Sequence, residues 1–191
     1  MKSTTIVAAL AAAALTATAT AFDFDELVDG DLSNVNSTPT PFLADVGTNT
    51  IRLQVVDSNL PSGDLDFFSV EIPSGLQLDA IRLIELDAGV NGDDVAFIAA
   101  QLGPIFTVDP AEPDPGELLG FILTQQSFVG QDILPLLGGD SPTTETLSFW
   151  VQQTGIDLTT IGLAFDVSVP TPGAVALAGI AGVMASRRRR A

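Results

Sequence analysis

Hydrophobic and polar residues alternate with a period of two along most of the chain. Ile51, Leu53 and Val55 are interleaved with Arg52 and Gln54, and Phe68, Val70 and Ile72 with Ser69 and Glu71. Ile81 and Leu83 flank Arg82. Leu147, Phe149 and Val151 flank Ser148 and Trp150, and Ile161, Leu163, Phe165 and Val167 alternate with small or polar residues. Successive side chains of a strand point to opposite faces, so this period predicts half-buried strands in an antiparallel sheet. The runs "DDVAFIAA" and "GPIFTV" are shorter strand candidates.

Turn sequences punctuate these runs: "SGD", "PSG", "NGDD", "PDPG" and "GGDSP". Their spacing is that of a sandwich or barrel. Helix signals are weak. "QDILPLL" fits a single turn broken at Pro135, and "ELLGFILT" suits strand or helix, with Gly120 lowering either. The expected fold is all-β: a jelly-roll-like antiparallel β-sandwich over residues 22–169.

The two ends depart from this pattern. At the N-terminus Lys2 precedes an apolar stretch from Ile6 to Leu15, and Ala19-Thr20-Ala21 has the small-x-small form of a cleavage site. Residues 1–21 therefore read as a secretory signal peptide, cut before Phe22. At the C-terminus, residues 170–191 hold Pro170-Thr171-Pro172-Gly173, an apolar run from Ala174 to Ala185, and the cluster Arg187, Arg188, Arg189 and Arg190. A helix over that run spans about 18 Å at 1.5 Å per residue, against a hydrocarbon core of about 30 Å. It is short for a lasting anchor. The arginines read as a stop-transfer cluster on the cytoplasmic side.

Composition narrows the chemistry. The 191 residues are 46% hydrophobic, enough to fill a core. Cysteine, histidine and tyrosine are absent. Disulfide staples, thiolate or imidazole metal sites and a Ser-His pair are thereby excluded. The net charge is −17, and all 24 acids lie between Asp23 and Asp166. Only Arg52 and Arg82, of seven bases, share that stretch. Such a body repels phosphate backbones, so nucleic acid is no partner. It suits either a solvated acidic surface or a bound cation.

The candidate cation ligands are Asp29, Asp31 and Asn34 in "DGDLSN", with Asp64 and Asp66 in "SGDLDFF". Calcium takes six to eight oxygens, which two acidic turns brought together could supply. "DGDLSN" lacks the sixth-position glycine and the distal glutamate of an EF-hand loop. The other reading of these residues is as turn formers that accept backbone N–H groups. "NGDD", Asn91 to Asp94, is a weaker cluster. Catalysis would rest on paired carboxylates alone, so no enzymatic activity is expected and no catalytic residues are assigned. Trp150, out of phase with Leu147, Phe149 and Val151, is a candidate surface contact for a sugar or partner; otherwise it fills a hydrophobic patch.

The C-terminal arrangement of Pro170-Thr171-Pro172, short apolar helix and arginine cluster resembles the PEP-CTERM sorting signal of bacterial exosortase substrates, with Thr171 where the usual motif has Glu. That resemblance implies export through the Sec translocon, transient insertion of the C-terminal transmembrane helix in the inner membrane, cleavage near Pro170-Thr171-Pro172-Gly173, and release or attachment at the cell surface. Members of that group often accompany exopolysaccharide and biofilm loci. "FDFDELVDGDLSN", "SGDLDFFSVEIPSG", "FWVQQTG" and "GLAFDVSV" resemble bacterial pre-peptidase C-terminal domains. This second likeness implies a binding or accessory sandwich, some of whose members take calcium, polysaccharide or protein fibres. The expectation is an exported, non-catalytic surface or matrix protein. The alternative is a calcium-dependent carbohydrate- or protein-binding module.

Overall fold

The computed structural model describes residues 20–56, 63–87, 95–139, 143–155 and 158–170. The stretch up to residue 19 read as a signal peptide, the "NGDD" sequence, Thr171, Pro172, Gly173, the apolar run to Ala185 and Arg187 to Arg190 lie outside the described residues. Among the described residues no helix is long and apolar enough to cross a membrane.

The structure is mostly β. The strands are β1 (Asp23–Asp25), β2 (Thr40–Leu43), β3 (Gly47–Val55), β4 (Leu65–Glu71), β5 (Gln77–Asp87), β6 (Ala96–Leu102), β7 (Gly120–Leu123), β8 (Leu147–Gln153) and β9 (Thr159–Ser168). One short helix, α1 (Glu26–Asp29), follows β1 directly. The strands form a four-stranded sheet in the order β1-β3-β9-β5 and a five-stranded sheet in the order β2-β4-β8-β6-β7.

The alternation places the core as expected. Ile51, Leu53 and Val55 of β3 and Ile161, Leu163 and Phe165 of β9 face Phe68 and Val70 of β4 and Phe149 and Val151 of β8. Phe165 reaches across, 5.6 Å from the Phe149 ring and 6.3 Å from the Phe68 ring. The two sheets thus share one hydrophobic layer. Each buried aromatic of this kind removes on the order of 150–250 Å² from water, so this layer dominates the cohesion of the fold.

Three expectations need correction. The sheets are mixed rather than purely antiparallel: β1 runs parallel to β3, and β2 runs parallel to β4. The period of two reports which face is wet and says nothing about the direction of the neighbour. Second, "GPIFTV" forms no strand. It lies in the long β6–β7 connection, where Phe106 and Val108 are buried. Third, Trp150 is only 2% exposed. It points to the outer face of the five-stranded sheet, as its phase requires, but that face is roofed. Phe67, Ala99, Phe106, Val108 and Trp150 form a second hydrophobic cluster there. The Phe67 ring stacks near Trp150 with centroids 6.2 Å apart, and Phe97 meets it edge-on at 4.8 Å. The surface contact is therefore not available to Trp150.

The roofing explains why β4 and β8 carry the large apolar residues Phe67 and Trp150 on the face opposite Phe68 and Phe149, so that both faces of these strands are buried. Strands covered on both faces lose the alternation. The roof is tied down by Asn36, whose amide donates to the Val108 carbonyl at 3.1 Å and whose carbonyl accepts from the Phe106 N–H at 3.1 Å.

Candidate metal centre

The N-terminal segment positions the site. β1 adds to the edge of the four-stranded sheet, with Asp23 opposite Thr50 and Asp25 opposite Arg52. β2 adds to the same side of the five-stranded sheet, with Thr40 opposite Phe68 and Leu43 opposite Glu71. Residues 26–39 therefore cross from one sheet to the other. Leu32 plugs into the core on the way, 2% exposed. The Phe67 N–H donates to the Ser33 carbonyl at 2.8 Å, and the Leu65 N–H donates to Asn34 Oδ1 at 2.9 Å.

This crossing brings Glu26 and Asp31 against Asp66 of β4. A carboxylate oxygen from each of the three lies within 4.8 Å of the others. Glu26 is already half-engaged: its two oxygens accept from the Gln54 N–H at 2.6 Å and from the Leu32 N–H at 3.1 Å. Asp66 is fully buried, yet neither of its oxygens has a hydrogen-bond partner. Asp66 is in phase with Phe68 and Val70, so it faces the space between the sheets rather than solvent.

The electrostatics follow from that placement. Burial, reinforced by Glu26, Asp64 and Asp31, pushes the Asp66 carboxyl up to about 9. Burial likewise pushes Glu26 up to about 7, against the two backbone N–H groups that favour its charged form and with Asp31 adding to the rise. Asp64 is raised by burial and by the Asp31 charge, and a backbone hydrogen bond with Val56 opposes the shift. Among the described residues no basic side chain pairs with the cluster. Arg52 pairs with Glu85 at 3.0 Å and Asp25 at 3.5 Å, and Arg82 pairs with Asp166 at 2.5 Å, all on the outer face of the four-stranded sheet.

A hard divalent cation fits these residues. The donors are all oxygen, which suits calcium or magnesium and not the softer transition metals. Three converging carboxylates favour calcium, because magnesium is held by one or two and keeps several waters. The orphaned Asp66 carboxylate is the observation that makes this more than an acidic surface. A buried polar group without a partner is costly, and a cation would give both oxygens a ligand role.

The residues expected as ligands divide into groups. Asp31 and Asp66 meet. Asn34 stands behind them: its amide donates to Asp31 Oδ2 at 3.5 Å while its oxygen holds Leu65. Asp64 contributes field to Asp66 but is not among the three converging acids. Asp29 is elsewhere employed, with Oδ2 accepting from the Asp25 N–H at 2.9 Å beside α1. Glu26 is the member that the sequence reading missed. Its signal was present: Glu26 is in phase with Phe22 and Phe24, which pack on the core. An acid in an inward register is the mark that both Glu26 and Asp66 carry.

The chain matches no protein-family model, no curated protein and no solved structure.

Proposed function

We propose that this chain is an exported, non-catalytic component of a bacterial cell surface or extracellular matrix, whose body is a calcium-holding β-sandwich of the jelly-roll type. The observation that carries the calcium reading is Asp66, buried without a partner and facing Glu26 and Asp31. The jelly-roll reading is supported by the order β3-β9-β5 in one sheet facing β4-β8-β6-β7 in the other. From β1 to β6 strands adjacent in sequence fall alternately in the two sheets, as winding a long hairpin would place them, while β6, β7 and β8 share the five-stranded sheet.

The export reading rests on the two ends of the sequence: the signal peptide cut before Phe22, and the sorting tail of Pro170, Thr171, Pro172, Gly173 and the four arginines. Its partners are the Sec translocon and an exosortase during transit, and exopolysaccharide or other matrix proteins afterwards. Carbohydrate binding as the principal role is the second reading. It needs an exposed aromatic platform, and Trp150 is buried, so the structural role in a matrix is favoured.

Calorimetric titration of the mature chain with calcium and with magnesium tests the conclusion. Heat and a chelator-reversible rise in Tm with calcium are expected. No heat and no shift would remove the cation reading. A glycan array with and without calcium separates the two roles: calcium-dependent sugar binding would favour the second.

A further inference from the structure

Building on the cation reading, we propose that the ion is a clasp: binding to Glu26, Asp31 and Asp66 locks the N-terminal strap, residues 22–43, across the open side of the two sheets. The body then closes fully only where calcium is plentiful, outside the cell.

The ligands come from both sides of that seam. Glu26 and Asp31 belong to the strap, and Asp66 belongs to β4 in the five-stranded sheet. The strap touches both sheets by main-chain pairing, β1 on β3 and β2 on β4. Docking it brings two acids against a third that is shielded from water. Without a cation those groups must repel one another or take up protons, and either charge on the docking step opposes closure. With a cation the same three groups attract a common partner. Strap docking and ion binding therefore favour each other, and the coupling is reciprocal.

The strap covers surface that matters. Phe22, Phe24 and Phe42 pack on the shared core, and the Phe42 ring lies 5.0 Å from Phe22, 5.1 Å from Phe24 and 6.2 Å from Phe68. Lifting it exposes these rings, removes the Leu32 plug and bares the free edges of β3 and β4. Bare edges invite pairing with other chains. A clasp that waits for calcium keeps the closed form for the compartment where extracellular modules bind it, at about 0.1–1 mM.

Hydrogen exchange of the whole mature chain, read by mass spectrometry in calcium and in chelator, tests the clasp. Peptides within residues 22–43 should exchange at least about tenfold more slowly in calcium, while peptides of β8 and β9 change little. Calorimetry on the same samples separates the two ideas. Calcium heat with unchanged strap exchange overturns the clasp and leaves the cation reading standing; absence of heat overturns both. Asp66→Asn gives the second arm, since it removes an ionisable ligand without emptying its space. Its strap should be protected equally in calcium and in chelator. A strap that still tightened tenfold with calcium in Asp66→Asn would also overturn the proposal.

Discussion

Replacing Asp66 by Asn should stabilise the metal-free protein and destabilise the calcium-loaded one. The wild-type carboxyl has an ordinary value of 3.8 and is pushed up to about 9 in the fold. Between those values the folded chain binds a proton that the unfolded chain has released. Stability therefore falls as pH rises across that window, by about 1.4 kcal/mol for each unit. At pH 7 the penalty has an upper bound of roughly 4 kcal/mol, and at pH 5 it is less than half of that. Asn carries no such penalty and nearly the same shape. In chelator at pH 7, urea unfolding of Asp66→Asn should give a higher midpoint with unchanged slope. The gap should narrow by more than half at pH 5. In saturating calcium the order should reverse, because the variant has one charged ligand fewer. A variant no more stable than wild type in chelator at pH 7, or a gap that does not narrow at pH 5, would refute the reasoning.

Trp150→Ala should lower stability by about 3–5 kcal/mol, because it empties the space between Phe67, Phe97 and Phe106; thermal unfolding checks this. Asn49→Ala should cost roughly 2–3 kcal/mol, since the buried Asn49 amide donates to the Asp45 carbonyl at 2.8 Å and its oxygen accepts from Asp45 and Phe22. The midpoint of urea unfolding reads that loss directly. Gly138→Ala should cost about 3 kcal/mol or more. Gly138 has φ +75°, and a Cβ there would sit 2.1 Å from the Leu119 carbonyl oxygen; poor soluble yield and a lowered Tm are the expected readouts. Intact mass of the secreted protein should show a chain that begins at Phe22 and lacks Arg187 to Arg190. A mature chain still ending in "RRRRA" would sink the sorting-signal reading.

Much of the β architecture was legible because one-sided burial writes itself into a strand as alternation. β3 and β9 alternate cleanly in sequence, and their inward residues form the core. Where that physics changes, the legibility ends. β5 carries register shifts between Leu78 and Ala80 and between Leu83 and Glu85, which move side chains off the simple period. "GPIFTV" has the composition of a strand but serves as a roof. Its buried residues Phe106 and Val108 pack with Phe67 and Trp150 without any ladder.

The sequence by itself determined that acids would dominate the body, that no histidine or cysteine chemistry was possible, and that Asp31 and Asp66 lay in acidic segments. Those are properties of residue type and local order. The tertiary structure decided which acids meet. Residues 26–31 and Asp66 are separated by two strands, and they converge only because the N-terminal segment pairs in parallel with β3 and then crosses to β4. It also decided which carboxylate lacks a partner, since burial and hydrogen bonding depend on what the rest of the chain places around Asp66. Composition could name oxygen donors, but convergence is a property of the crossing between the two sheets.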